Sequence, residues 1–251
     1  MLTQITPIII CFNEQENIAR SLQALSWARE VLVVDSFSTD DTIHICAQFP
    51  NVRLIQHVFT SFADQCNFAL TQDIESEWVL SMDADYVVTK ALLQELAVLD
   101  PPATTKAYRI GFDYLVNGKK LRGSLYPPRT ALYRKANASY QQDGHAHRVV
   151  IDGSVDSLQS RMEHDDRKPW SRWLASQRNY AAKEAEKLSQ AAWSSLSLAD
   201  KLRKLGIAPL IVVPYTLLLK GLILDGKAGL EYCKQRLIAE VYLQRARLKK
   251  L

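Results

Sequence analysis

Trp78-Val79-Leu80-Ser81-Met82-Asp83-Ala84-Asp85 is an apolar run that ends abruptly in two carboxylates, with Tyr86-Val87-Val88 behind it. A continuous apolar stretch of this length reads as a buried strand that carries charge to the rim of a sheet. Side chains at i and i+2 of an extended chain project to one side, so Asp83 and Asp85 are expected to face one cation together. Hard divalent ions such as Mg²⁺ or Mn²⁺ take oxygen ligands of this kind and keep open positions for phosphates. An Asp-x-Asp is common; the chain before it gives this one its weight.

Upstream, Thr6-Pro7-Ile8-Ile9-Ile10-Cys11-Phe12-Asn13-Glu14 is another apolar run that breaks into polar residues. Ile18, Leu22 and Leu25 then recur at helical spacing, which predicts a helix over 15–25 with Asn13 as its cap. Val31-Leu32-Val33-Val34-Asp35 is a third buried strand ending in an acid. The Ser/Thr/Asp-rich turn behind it is suited to capping a helix over 42–48. A strand over 52–55 and a helix over 62–70, carrying Gln65 and Asn67, lead to the strand that ends at Asp83. Such β-α-β-α alternation predicts an α/β fold with a mostly parallel sheet, whose ligands gather beyond the carboxyl ends of the strands. Asn13, Asp35 and the pair Asp83/Asp85 all stand at such ends.

Pro7 to Asn13-Glu14, Val33-Val34-Asp35-Ser36-x-Ser38-x-Asp40-x-Thr42, Gln65-x-Asn67 and Asp83-Ala84-Asp85 together resemble the motif series of glycosyltransferase family 2, over residues 5–90. Gly144-x-x-His147, Val150-Ile151-Asp152-Gly153 and His164 are similar to the subgroup around lipopolysaccharide-core β-1,4-glucosyltransferases. The resemblance implies the GT-A fold, a Rossmann-like sheet flanked by helices, here with a C-terminal helical extension. It implies transfer of a sugar from a nucleotide diphosphate donor with inversion at the anomeric carbon. On its pattern Asp35 contacts the base or ribose, Phe12, Asn13, Glu14, Ser36, Gln65 and Asn67 help hold the nucleotide sugar, and Asp83 lies near ribose or metal. Asp85 and His164 would complete a site for Mn²⁺ or Mg²⁺. Three positions depart from the pattern: Ser36 stands where a second acid is frequent, Cys66 where a basic residue commonly precedes the asparagine, and Arg148 where an acid often follows the histidine.

Asp143-Gly144-His145-Ala146-His147-Arg148 puts two histidines and an acid in one loop, a composition suited to proton transfer because imidazole titrates near neutrality. Asp143 and His147 are the candidate catalytic bases. Asp143 is preferred because family enzymes usually place a carboxylate in this region, and His145 is read as structural. Tyr108–Arg122 reads as a hairpin turned at Asn117-Gly118 in the type I′ manner. Lys119, Lys120, Arg122 and Arg129 are read as a solvated hairpin face, with contact to an anionic acceptor as the alternative. Asp165 and Asp166 are expected to cap a helix opening near Pro169 and running to Trp193.

The chain has 251 residues and a net charge of +4. Residues 201–251 contain 11 Lys/Arg against Asp225, Glu231 and Glu240, a balance of +8, which leaves −4 on the first 200 residues. A basic tail of aliphatic character points to an anionic membrane surface rather than nucleic acid, which needs stacking aromatics among the cations. Ile207–Leu219 carries no charge, but is shorter than the roughly 20 residues a bilayer span requires, and Pro209 and Pro214 interrupt it. Residues 228–250 are expected to form an amphipathic helix with Leu230, Leu237, Val241 and Leu248 on one side. Four cysteines without metal-site spacing suggest ordinary buried thiols in a reducing compartment, and no signal peptide is read at the N-terminus.

These readings predict a catalytic domain over 1–168 and a helical region over 169–251. The expected activity is inverting, metal-dependent transfer of a glucose-like sugar from a nucleotide diphosphate sugar, UDP-sugar favoured, to a lipid-linked or cell-envelope glycan. The protein is expected in the cytoplasm, peripheral on the inner face of the cytoplasmic membrane. A polyprenyl-phosphate sugar transferase and a non-catalytic nucleotide-sugar binder are the alternatives.

Overall fold

The computed structural model describes residues 1–143 and 146–249, with Ala146 and His147 described for the backbone alone. The chain opens as β1 (Ile5–Cys11), α1 (Ile18–Gln23), β2 (Val31–Asp35), α2 (Thr42–Cys46), β3 (Val52–Gln56), α3 (Phe62–Thr71) and β4 (Trp78–Asp83). The strands pair in parallel in the order β3-β2-β1-β4. Their runs of Ile, Leu and Val are buried on both faces: Ile9, Val31 and Val33 enter one core cluster, and Ile8, Leu32 and Val34 the other. That alternation is the signature of a sheet covered on both sides.

Beyond β4 the sheet is mixed. The chain continues as β5 (Tyr86–Val88), α4 (Lys90–Val98), β6 (Thr105–Val116), β7 (Lys119–Lys120), β8 (Arg129–Arg134), β9 (Ala138–Asp143), β10 (Ala146–Ile151) and β11 (Ser154–His164). The order runs on as β4-β8-β6-β11-β5, while β9 and β10 pair as a separate ribbon. β8 runs antiparallel to β4 and to β6, and β5 antiparallel to β11, so the expected α/β sheet flanked by helices is present with antiparallel pairs in its second half. Asn117 and Gly118 both have positive φ, +52° and +74°, as the type I′ turn requires.

The chain divides into two compact units. Met1–Asp113, Tyr126–Gln142 and His147–Arg167 make the first; Tyr114–Leu125, Asp143 and the chain from Lys168 belong to the second. The second contains α5 (Trp170–Gln190), α6 (Leu198–Lys204), α7 (Ala208–Pro214) and α8 (Lys227–Leu248). Ala181, Ala185 and Leu188 of α5 share a cluster with Leu196 and with Leu243 of α8.

Several local expectations are corrected. Helix α1 begins at Ile18, because Asn13 is left-handed (φ +54°) and cannot cap a helix there. Helix α5 opens at Trp170 behind Pro169, as expected, and ends at Gln190 rather than at Trp193. In α8 the packed side is Tyr232, Cys233, Glu240 and Leu243, whereas Leu230 and Leu248 are exposed. The reason is polar: the Tyr232 hydroxyl accepts the Leu125 amide at 2.6 Å and Glu240 pairs with Arg203 at 2.8 Å, which turns that side of the helix inward.

Candidate functional site

The turns after β1 and β2 are fastened to each other. The Asn13 amide donates to Ser38 Oγ at 2.7 Å, the Glu14 amide to Thr42 Oγ1 at 2.7 Å, and Asn13 Oδ1 accepts the Thr39 amide at 2.7 Å. Both turns adopt conformations that L-residues seldom take, with Phe37 at φ +61° as well as Asn13. Asp35, fully buried, is what sets the second turn. Its carboxylate accepts the Ser38 amide at 2.9 Å, the Ser38 hydroxyl, and Gln56 Nε2 at 3.1 Å. Phe12 and Phe37 stand exposed at the rim of the same two turns.

Gln65 on α3 donates to Ser36 Oγ at 2.8 Å and to the His57 carbonyl at 2.9 Å, so it braces the Asp35 turn from below. Asn67 does something the motif does not announce. Its amide group donates to the Tyr140 carbonyl at 2.9 Å and its oxygen accepts the Tyr140 amide at 2.8 Å, which fastens β9 to α3. All four cysteines are buried, as read from the sequence, and burial raises the thiols of Cys11, Cys46 and Cys66, that of Cys46 to about 12. They are inert at neutral pH.

Asp83 is the last residue of β4, and Ala84-Asp85 forms a turn rather than an extended continuation. The two carboxylates find different partners. Asp83 Oδ2 lies 3.1 Å from Nη1 of Arg129 on β8, and the same nitrogen donates to the Tyr86 hydroxyl at 2.8 Å. Arg129 is thus not on a solvated hairpin face. Burial works against its charge, but Asp83 and the hydroxyls of Tyr86 and Tyr126 outweigh it and hold the guanidinium cationic. Lys119 and Arg122 are also engaged within their own unit, donating to Asp225.

Asp85 turns to the end of β11, where its Oδ2 is 3.7 Å from Nε2 of His164. That gap exceeds a hydrogen bond and suits two ligands of one small ion, each about 2.0–2.2 Å from it. Among the described residues no group of three His, Cys, Asp or Glu side chains is close enough to enclose a metal. A carboxylate and an imidazole nevertheless fit a divalent cation that takes its remaining oxygens from a diphosphate. The rings of Tyr126 and Tyr86 pack at 4.7 and 5.6 Å from His164.

A network that no motif signalled holds this corner. Asn17, fully buried, donates to Glu14 Oε2 at 2.9 Å and Asp166 Oδ1 at 3.0 Å, and Arg20 donates to the Asp165 carbonyl at 2.6 Å. The Asp165 amide returns to the Asp85 carbonyl at 3.0 Å. Helix α1 is thereby tied to the residues following His164. Only long-range contacts reveal this role, since Asn17 and Arg20 look like ordinary helix-surface residues in the sequence. Asp143, in the second unit, pairs with Lys187 at 2.6 Å. His147 lies on β10, its side chain outside the described residues, as are Gly144 and His145.

Asp35→Ala is expected to lower stability by about 1–3 kcal/mol, because it removes the buried carboxylate that accepts the Ser38 amide and hydroxyl and so sets the turn after β2. It should also weaken nucleotide binding whether or not a cation is present. Denaturant melts read beside nucleotide titrations test both; unchanged stability and affinity together would show that the turn holds without its carboxylate.

Residues 6–100 match the family model described as Glycosyl transferase family 2. The lipopolysaccharide core biosynthesis glycosyltransferase LpsC of Rhizobium meliloti (strain 1021) is 28% identical over 165 residues, covering 60% of this chain and 58% of that protein. An uncharacterized glycosyltransferase of Rickettsia prowazekii (strain Madrid E), RP128, is 30% identical over 145 residues, 55% of this chain and 49% of that one. The chain spans about half the length of these relatives. Among solved structures, mannosyltransferase PcManGT from Pyrobaculum calidifontis, in complex with GDP-Man and Mn²⁺, superposes with a TM-score of 0.56 at 16% identity, over 98% of this chain and 86% of that one. S. aureus TarS 1–349, in complex with UDP-GlcNAc, gives 0.51 at 16% identity over 98% and 91%. At such identity the likeness is one of fold, the GT-A arrangement of a mixed sheet flanked by helices.

Proposed function

We propose that the chain, whose residues 6–100 match the model of glycosyltransferase family 2, is an inverting, cation-dependent transferase that moves a glucose-like sugar from a nucleotide diphosphate sugar to a lipid-linked or lipopolysaccharide-type glycan. The observation that carries this reading is the meeting of Asp85 and His164, 3.7 Å apart, in the same unit as the two fastened turns at the carboxyl ends of β1 and β2. In open α/β sheets that edge is where nucleotides bind.

The turns bearing Phe12, Asn13, Glu14, Asp35 and Ser36 would hold the nucleoside, with Gln65 and Asn67 as their support and Asp83 toward the ribose. UDP is the favoured nucleotide. Asp85 and His164 would hold Mn²⁺ or Mg²⁺, which supplies positive charge where the leaving diphosphate gathers negative charge. Arg129, kept cationic beside Asp83, adds a fixed charge to the same corner. The acceptor oxygen attacks the anomeric carbon on the face opposite the departing diphosphate, and Asp143, or else His147, removes its proton. A lipid-linked acceptor places the enzyme on the inner face of the cytoplasmic membrane.

Calorimetric titration with UDP tests the reading. Affinity is expected to rise at least tenfold when Mn²⁺ is added, and to be indifferent to it in His164→Ala. Equal affinity with and without cation in the unsubstituted protein would remove the metal from the site. Binding without any turnover of a panel of nucleotide sugars would instead favour a non-catalytic binder.

A further inference from the structure

The second unit carries an apolar surface that it does not use for its own packing. Helix α7 continues without a break into a π-helical turn at Tyr215–Leu219, followed by a 3₁₀ turn at Leu222–Asp225. One stripe of this segment is buried, at Ala208, Val212 and Thr216, and Thr216 is anchored through its hydroxyl to the Val212 carbonyl at 2.7 Å, with Cys233 Sγ of α8 3.1 Å away. The opposite stripe faces outward: Leu210 is 77% exposed, Leu218 65% and Leu219 78%, and Ile223 (57%) and Leu224 (68%) extend it. Contiguous apolar surface of this kind marks an interaction site, whereas scattered exposed leucines do not.

The charges around it select the partner. Residues 201–224 include Lys201, Arg203, Lys204 and Lys220 and not one acid. Asp225, which closes the segment, is buried, and its carboxylate accepts the Arg122 amide at 2.9 Å and pairs with the Arg122 guanidinium at 3.4 Å. A second copy meeting this face across a two-fold axis would bring like charges together around the apolar centre. An anionic lipid surface satisfies both features, attracting the lysines and accepting the leucines below its headgroups. Among the described residues no helix is long and apolar enough to cross a bilayer, and the segment is a few short turns broken at Gly221, so its depth is limited to the interface.

We propose that Ile207–Leu224 is a monotopic membrane wedge that inserts Leu210, Leu218, Leu219, Ile223 and Leu224 into the acyl boundary of an anionic leaflet. Such insertion does not depend on the transfer chemistry, so either can fail without the other. It differs from adsorption by charge alone in its response to salt. At about 1 M salt, charge is screened beyond about 3 Å, and only apolar insertion persists.

Flotation of the 251-residue protein with vesicles of phosphatidylglycerol and phosphatidylethanolamine tests the wedge. Most of the protein is expected to float at low salt and a substantial share to remain bound at about 1 M salt, with little binding to phosphatidylcholine alone. Leu210→Asp/Leu218→Asp/Leu219→Asp should cut the bound fraction at least tenfold while its circular dichroism stays that of the parent. A direct reading comes from Leu218→Cys carrying a polarity-sensitive fluorophore, since the native cysteines are all buried. Its emission should shift to the blue on anionic vesicles, and that of the same label on Val98→Cys should not. Failure to float, flotation undiminished in the triple variant, or a silent label at position 218 would each overturn the proposal. So would dimers in sedimentation velocity that the triple variant dissociates, since a second copy would then occupy the face.

Discussion

In Asp85→Ala, sugar transfer and donor hydrolysis are expected to fall by about 10²–10³-fold, the range seen when one fixed group that stabilises developing charge is removed. Folding should be untouched. Asp85 sits in the turn after β4, and the hydrogen bond that fastens this turn to β11 uses its backbone carbonyl, which accepts the Asp165 amide at 3.0 Å and survives the substitution. What is lost is the oxygen that lies 3.7 Å from His164 Nε2, which on the proposed reading would be a ligand for the cation on the leaving diphosphate. Asp83→Ala should behave differently. It removes the carboxylate 3.1 Å from Arg129 and leaves a largely buried guanidinium with only hydroxyl partners, so thermal stability should fall together with turnover. Steady-state rates beside melting curves for the two variants separate these effects. Turnover of Asp85→Ala within threefold of the parent, at saturating Mn²⁺, would remove Asp85 from the metal site.

Asp143→Asn is expected to reduce transfer by about 10²–10⁴-fold while leaving donor affinity nearly unchanged, as follows when a general base is lost. Asparagine preserves the size of the side chain and one oxygen toward Lys187, which lies 2.6 Å from the carboxylate, so a purely structural role for Asp143 would show as a small change. Lys187→Met provides the complementary measurement. It removes the ammonium 2.6 Å from the Asp143 carboxylate, and should change the transfer rate without abolishing activity. If His147→Ala shows the large loss instead, the imidazole is the base. Should both variants keep near-normal turnover, the acceptor ionises by itself, and a polyprenyl phosphate becomes the better substrate class, consistent with Arg148 where an acid often follows the histidine.

The first half of the sheet was legible because its strands are buried on both faces. Ile8–Ile10 and Val31–Val34 read as unbroken apolar runs, and each ends in a polar residue at the same edge. The helix ends were less so. Asn13 looks like a cap in one dimension, yet its hydrogen bonds go to Ser38 and Thr39, residues that the sheet alone brings near. Gln65 and Asn67 fall on the family motif, but their partners in the folded chain are Ser36, His57 and Tyr140. The apolar positions of α8 misled for a related reason: the buried side follows Tyr232 and Glu240, whose polar groups are satisfied by Leu125 and Arg203 from distant parts of the chain.

By itself the sequence determined the strand-and-helix alternation of the first 90 residues, the family motifs at the strand ends, the type I′ hairpin, and the basic, aliphatic character of the tail, because each depends on residues close together along the chain. Only the tertiary structure decided that Asp83 and Asp85 part company, one to Arg129 and the other to His164, because a turn replaces the extended chain that would have kept them on one side. It alone decided that Asp165 pairs with Arg20 and Asp166 with Asn17, and that Leu210, Leu218, Leu219 and Leu224 are exposed while Leu222 is buried. Those outcomes rest on pairings between residues tens to more than a hundred positions apart, and local propensity carries no information about which distant group will satisfy a buried charge.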